Sequence, residues 1–247
     1  MAAITEMVDL EIQDDVAVVR VDNPPVNALS RGVRDGLLDV VKQANVDDAA
    51  KAILIICNGR TYIAGADIKE FGKPQEGTSL FDVQTTIESA SKPVVSTIHG
   101  TALGGGLETA LSCHYRVAVA SAKFGLPEVH LGILPGAGGT QRLPRVVGVE
   151  KALEMMVSGK PVNAKFALEN GLIDEIVDDL FEGGMAFAKK IVTEGAPLVK
   201  VRDNNEKLEA AKQDPELFDR FRKKRLPQST KLDGMSPRKL CQISADS

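Results

Sequence analysis

The chain has 247 residues, 43% of them apolar and 26% charged, with a formal net charge of −4. This length carries a sizeable core as one large domain or two small ones, and the composition is globular, not disordered. The negative balance and the scarcity of rings (4% aromatic, no Trp) argue against a nucleic-acid partner, and no apolar run approaches the roughly 20 residues of a membrane span.

Residues Val8 to Val21 read as two short strands joined at Gln13-Asp14-Asp15, the second being nearly continuous in β-branched residues. Asn23-Pro-Pro-Val-Asn27 breaks the pattern. Ser30 then suits an N-cap, ahead of a helix carrying Val33, Leu37, Val40, Val41 and Ala44 at helical spacing. Ala52 to Cys57 is a short apolar run of the kind a strand covered on both faces shows. Thr61 to Glu70 reads as a turn leading into a short helix, and Gly72 to Ser79 as a polar loop. Leu80, Val83 and Ile87 mark a further helix, stopped by Pro93. Val94 to Ile98 is a second buried strand. The glycine-rich Gly100 to Gly106 opens a helix over Leu107 to Leu111, and Tyr115 to Ala120 is a third buried strand. Strands alternating with helices predict an α/β fold with a parallel sheet. Beyond Gly139 the pattern is mainly helical, over Val149 to Val157, Asn163 to Asn170, Leu180 to Thr193 and Pro197 to Lys212. A short strand at Ile173 to Val177 interrupts it. The basic run Arg220 to Arg225 reads as a solvated helix face.

Two glycine turns have chemical potential: Ala64-Gly-Ala-Asp67 and Leu103-Gly-Gly-Gly-Leu-Glu108. A strand, a tight turn and a helix start together expose backbone N–H groups, which suit an anion or an oxygen that gains charge during reaction. Neither turn has the spacing of a dinucleotide fingerprint or a P-loop, so nucleotide binding is not expected. Read singly, each is equally a tight turn with close packing. Glu108 follows the triple glycine, and Glu128 follows Pro127 in a mostly apolar stretch. Each could be a proton-transfer group raised by its surroundings, or merely a helix-cap acid and a surface acid. His99, His114 and His130 lack metal-ligand spacing, so no metal site is expected. No Gly-x-Ser-x-Gly elbow is present. Cys57, Cys113 and Cys241 are odd in number and widely spaced, which fits reduced thiols in a cytosol-like compartment. The first residues carry acids and no basic n-region, unlike a secretory signal.

Taken together, Ile63-Ala-Gly-Ala-Asp-Ile-Lys-Glu70, Gly104-Gly-Gly-Leu-Glu108 and the block from Gly125 to Leu143 resemble the signature blocks of the enoyl-CoA hydratase/isomerase (crotonase) superfamily. The resemblance covers about residues 8 to 195. Asn23-Pro-Pro-Val-Asn-Ala-Leu-Ser30 and Cys113-His-Tyr-Arg116 resemble the N-terminal hydratase/isomerase part of multifunctional fatty-acid β-oxidation enzymes. It implies a crotonase-like spiral of ββα repeats over 1–195, then a helical C-terminal part and tail over 196–247. Trimer contacts are implied too, as a homotrimer or a dimer of trimers.

The implied substrate is an acyl-CoA thioester, with coenzyme A part of the substrate and no separate cofactor. Its carbonyl would lie between the N–H groups of Ala66 and Gly105. Glu108 would activate the water added at Cβ, and Glu128 would supply the proton to Cα. The implied reaction is hydration of trans-2-enoyl-CoA; Δ3,Δ2-enoyl-CoA isomerisation and a catalytically silent acyl-CoA-binding relative are the alternatives. Ala64, Asp67, Ile68, Lys69 and Gly104 would line the bound substrate, with Asp67 and Ile68 beside the CoA arm. Gly72 to Ser79 and the helix after it would shape the acyl pocket, and Pro135 and Gly136 would brace the loop carrying Glu128. The dehydrogenase fingerprint of the multifunctional proteins is missing. The expectation is therefore a stand-alone hydratase, a truncated relative or a piece of a longer protein, with the tail from Gln228 departing from the family pattern. The terminal residues are not a Ser-Lys-Leu address. A bacterial cytoplasm is the expected location, with peroxisomal and mitochondrial origins as alternatives.

Overall fold

The computed structural model describes residues 2–70, 72–74 and 76–229. The expectations placed on Cys241 and on the tail beyond residue 229 lie outside the described residues. Strands β1 (Ala2–Thr5), β2 (Val8–Gln13) and β3 (Val16–Val21) form an antiparallel meander. The expected hairpin turn is present. Asp14 and Asp15 both take positive φ, 49° and 65°, the backbone whose twist matches that of paired strands.

Helix α1 (Arg31–Val46) crosses from β3 to β4 (Ala52–Cys57), and α2 (Leu80–Glu88) crosses from β4 to β5 (Val94–Ile98). Strands β3, β4 and β5 pair in parallel. β6 (Thr101–Leu103) belongs to a second, small sheet and feeds α3 (Gly105–Ser112), which returns the chain to β7 (Tyr115–Val119) beside β5. β8 (Lys123–Gly125) pairs parallel with β6 and runs into a 3₁₀ turn over Pro127–Leu131. There follow α4 (Gly139–Val147), α5 (Val149–Ser158), β9 (Val162–Asn163), α6 (Ala164–Glu169), β10 (Glu175–Val177), α7 (Leu180–Thr193), α8 (Glu206–Lys212) and α9 (Leu217–Ser229). The large sheet has the order β1-β2-β3-β4-β5-β7-β10, and the small one β6-β8-β9.

β4 shows why the sheet is filled on both sides. Every residue of Ala-Ile-Leu-Ile-Ile-Cys is buried. Ile53, Ile55 and Cys57 join Val33, Leu37, Val40 and Val41 of α1 in one cluster. Their alternates, Ala52, Leu54 and Ile56, join Met185, Ala188 and Ile191 of α7 in another. Each large side chain buried in this way contributes about 1.5–3 kcal/mol. This is the expected α/β fold, with a helical C-terminal part whose Leu217 and Phe221 pack on Leu153 of α5.

Three local expectations are corrected. The expected helix Pro197 to Lys212 is broken: only a 3₁₀ turn at Val201–Asp203 and α8 are helical, because Asn204 and Lys200 are extended. Ser30 does stand at the N-cap of α1, but its side chain makes no cap bond. The carboxylate of Glu70, 39 residues on, takes the Arg31 N–H at 2.8 Å instead. Helix α3 also begins two residues before Leu107, at Gly105, and this changes which N–H groups the turn presents.

Candidate active site

The two glycine turns meet. Ala64 N–H donates to Val26 O at 3.1 Å and Leu29 N–H to Gly65 O at 2.9 Å, so the Ala64–Asp67 turn is stitched to the segment before α1. Among the described residues Ala66 N–H donates to no backbone carbonyl, and the residue is exposed. Gly104 is the N-cap of α3, with φ 52°, and its own N–H is taken by Gly125 O at 2.9 Å. Gly105 is therefore the first helical residue, and its N–H has no intrahelical partner. A Cβ built on Gly105 would lie 3.7 Å from Ala66 N, so the two turns approach closely here.

Both glutamates flank this corner. Glu108 sits in the first turn of α3, 2% exposed, but it does not cap its own helix. Its Oε1 accepts the N–H groups of Ala137 and Gly139, each at 2.8 Å, so the carboxylate lies at the N-terminus of α4. Burial raises its pKa, against the pull of those two donors and of the Arg142 charge. Glu128 lies in the 3₁₀ turn and is buried, 9% exposed, not a surface acid. A Cβ at Gly104 would meet its Oε1 at 3.0 Å, and its Oε2 has no hydrogen-bond partner among the described residues. Burial first, with the charge of Glu108 adding to it, pushes the Glu128 carboxyl up to about 7. One carboxylate is thus held by donors and the other left with a free oxygen and a proton near neutrality.

That proton has a stability consequence. The folded-state pKa of Glu128 lies above its ordinary 4.5, so folding favours the protonated form. The penalty is absent below the ordinary value and grows as pH rises to the folded value. It levels off above that at roughly 3 kcal/mol, the scale set by 1.36 kcal/mol per pKa unit. Glu128→Gln is neutral at every pH. It is expected to raise Tm by several degrees at pH 8 and by much less at pH 5, in thermal melts followed by circular dichroism. Equal shifts at the two pH values would contradict the burial argument.

A cavity of about 610 Å³ opens beside the corner, lined by Ala66, Leu29, Leu80 and Phe81, by Arg31 and Arg34 of α1, and by Asp67, Glu70, Lys73 and Glu76 from the segment between β4 and α2. Of the substrate-lining residues expected from the sequence, Asp67 reaches this cavity, beside Ala66, whose N–H was expected to face the thioester carbonyl. Ile68 and Lys69 are exposed beyond it, and Ala64 is tied to the 23–29 segment. Gly104 contacts Glu128, and Pro135 is buried where a Cβ on Gly139 would meet it at 3.0 Å, closer to the Glu108 cradle than expected. Lys73, Pro74, Glu76 and Ser79, from the segment expected to shape the pocket, line the cavity; sequence reasoning missed the α1 side of its wall. Arg34, 7% exposed, bonds Leu29 O at 2.7 Å, Glu70 Oε2 at 2.7 Å, Thr78 O at 2.8 Å and Glu76 O at 3.1 Å. It ties Glu70, Glu76 and Thr78 to α1. No local pattern signals partners 36 and 44 positions away.

The profile of the family described as "Enoyl-CoA hydratase/isomerase" matches residues 11–225. The chain belongs to the enoyl-CoA hydratase/isomerase family. It is similar to a probable enoyl-CoA hydratase of Bacillus subtilis (strain 168), 47% identical over 173 residues, which are 67% of each chain. It is also 45% identical over 188 residues to the peroxisomal bifunctional enzyme of Danio rerio, covering 76% of this chain and 26% of that one. The chain thus spans about a quarter of the length of the bifunctional relatives it matches. Among solved structures, an enoyl-CoA hydratase from Bacillus anthracis is 32% identical with a TM-score of 0.71, over 75% of this chain and 76% of that chain. A second, from Geobacillus kaustophilus, matches at 31% and 0.71 over 91% and 90%. The fold is the crotonase fold of this family.

Proposed function

We propose that the protein is an enoyl-CoA hydratase of fatty-acid β-oxidation, converting trans-2-enoyl-CoA into 3-hydroxyacyl-CoA. The observation that carries the reading is the pair of buried glutamates at one corner. Glu108 is cradled by two N–H donors, and Glu128 has an unpartnered oxygen and a pKa of about 7. The thioester oxygen sits against the N–H groups of Ala66 and Gly105. Glu108 accepts a proton from water as the water oxygen bonds to Cβ. The π electrons move to the thioester oxygen as an enolate, where fixed donors stabilise the charge without reorganising. Glu128 delivers its proton to Cα as the enolate collapses. The substrate gains one water, and the proton left on Glu108 passes back to Glu128 through solvent before the next turnover, so no oxidant, metal or separate cofactor is required, and coenzyme A enters as part of the substrate.

Asp67 and the Ala64–Lys69 turn take the CoA arm, and Leu29, Leu80 and Phe81 give the cavity its apolar wall. The free Oε2 of Glu128 also supports proton shuttling between Cα and Cγ, which is Δ3,Δ2-enoyl-CoA isomerisation, as a second activity of the same site. Crotonyl-CoA and a 3-enoyl-CoA, each mixed with the purified chain, separate the readings. Loss of the conjugated thioester absorbance from the first reports hydration, and its appearance from the second reports isomerisation. Inertness toward both, with CoA-ester binding retained, would leave only the silent binding relative.

We further propose a homotrimer or dimer of trimers working in a bacterial cytoplasm. Leu131 (63% exposed) and Ile133 (45%) lie on the surface just after Glu128, apolar area of the kind that partner subunits cover. Light scattering is expected to give three or six chain masses, and a monomer at micromolar concentration would refute the assembly.

A further inference from the structure

Behind Glu108 lies a buried charge pair that the proposed chemistry does not use. Arg142, on α4 and 8% exposed, forms a two-pronged ion pair with Glu88, on α2 and 1% exposed: Nε to Oε1 and Nη2 to Oε2, both at 2.9 Å. Its third nitrogen, Nη1, donates to Ala137 O at 3.2 Å and to Gln84 Oε1 at 3.3 Å. Ala137 is the residue whose N–H holds Glu108. The turn therefore faces Arg142 with the Ala137 carbonyl, while the N–H groups of Ala137 and Gly139 face the catalytic carboxylate. Gly138 lets the guanidinium approach the turn closely, since a Cβ there would stand 2.2 Å from Nη1.

A buried ion pair is not needed to stabilise a core, because apolar residues of like volume usually serve as well or better. Its fork geometry, by contrast, fixes orientation, which a Lys or an apolar residue cannot do. We propose that Arg142, locked in place by Glu88, is a positioning residue: it fixes the Ala137–Gly139 turn so that its two N–H groups hold the Glu108 carboxyl aimed at the water. The inference rests on the hydratase reading for its kinetic consequence and on geometry alone for its electrostatic one. The groups that face Glu108 are Glu128 from the 3₁₀ turn and Arg142 from α4. Glu88 stands behind Arg142 on α2, with Arg202 of the C-terminal segment 3.6 Å from its Oε2. His114 adjoins Glu88 and is held neutral, its pKa pushed down to about 4 by burial.

The test pairs kinetics with a titration. Arg142→Met alone would orphan a buried carboxylate, so the decisive variant is Glu88→Gln/Arg142→Met, which buries no unpaired charge; Arg142→Lys restores the charge without the fork. Crotonyl-CoA hydration yields kcat and KM. Carbon NMR of protein labelled at the glutamate carboxyl carbons, with the Glu108 resonance identified by its loss in Glu108→Gln, yields the Glu108 midpoint. In the double variant kcat is expected to fall about tenfold to a hundredfold, the scale of a misplaced catalytic group, with KM within about threefold. The Glu108 midpoint is expected to rise by about half a pH unit or more, since a cation and two fixed donors are weakened together. Arg142→Lys is expected to recover the midpoint and only part of kcat. A double variant with wild-type kcat and midpoint overturns the proposal. So does one that loses kcat with the midpoint unmoved, or loses efficiency through KM alone. If the wild type does not hydrate crotonyl-CoA, the proposed reaction falls while the midpoint shift still decides the role of Arg142.

Discussion

Hydration of crotonyl-CoA is expected to fall by about 10³-fold in Glu108→Gln and, separately, in Glu128→Gln, the middle of the range for losing a positioned acid or base. The amide is nearly isosteric, so each change removes a proton site and little else. The losses have different signatures. In Glu108→Gln the amide oxygen is still offered to Ala137 and Gly139, so the turn stays cradled, but nothing takes the proton of the incoming water. Glu128→Gln leaves the cradle untouched, but Cα has no donor. A double variant is expected to lose scarcely more than either single one, because the two act on one transition state as a unit. The pH dependence follows from the same assignment. Hydration needs Glu128 protonated, and its carboxyl lies at about 7, so kcat/KM in the hydration direction is expected to decline above about pH 7. Undiminished turnover in both single variants sinks the mechanism.

The second large effect is steric. A Cβ on Gly106 would stand 2.0 Å from Ile63 O and 2.8 Å from Ile63 C, backbone atoms that cannot rotate away. Ile63 O is also held by Leu103 N–H at 3.1 Å, so the carbonyl is fixed from the other side. Gly106→Ala must therefore push α3 off the 63–66 turn. This separates the N–H groups of Ala66 and Gly105 that the thioester oxygen is proposed to bridge. The expected result is a loss of about 3 kcal/mol or more of stability, the upper end for one inserted methyl group. A loss of kcat/KM comparable with removing one oxyanion donor, about 10²–10³-fold, is expected as well. Gly32→Ala is the control. Its Cβ meets only the flexible thioether end of Met7, Sδ at 3.0 Å, and its site is inside α1, where Ala is the better helix former. Chemical denaturation of the two variants is expected to separate them by several kcal/mol, and equal stabilities would refute the close-approach argument.

Much of the scaffold was legible because its signals are local. The run at 52–57 is apolar at every position, so a strand covered on both faces was the natural reading, and Asp14-Asp15 marked the hairpin. Gly104–Gly106 and Ala64–Asp67 were legible as N–H-presenting turns. Glu108 and Glu128 stood out by their neighbours. The helix expected over 197–212 failed for a local reason of the opposite kind: its composition suits a helix, while extended backbone at Lys200 and Asn204 confines it to two short pieces. Ser30 shows propensity set aside by tertiary contact, since a distant carboxylate, Glu70, takes up the N–H at the start of α1.

The sequence alone determined the α/β class, the alternation of β2 to β5 and β7 with α1 to α3, the two turns and the family resemblance, because each is written in periodicity or in runs of a few residues; the short strands β1, β6, β8 and β9 and helix α4 were not read from it. Only the tertiary structure decided that Glu108 caps α4 and not its own helix, and that Glu128 is buried with one oxygen unpartnered. It likewise decided that Arg34 walls the cavity and that Arg142 stands behind the cradle. Those facts depend on pairs separated by 29, 36 and 54 positions. Burial and charge partnership are properties of where the chain returns in space, and no window of local sequence contains them.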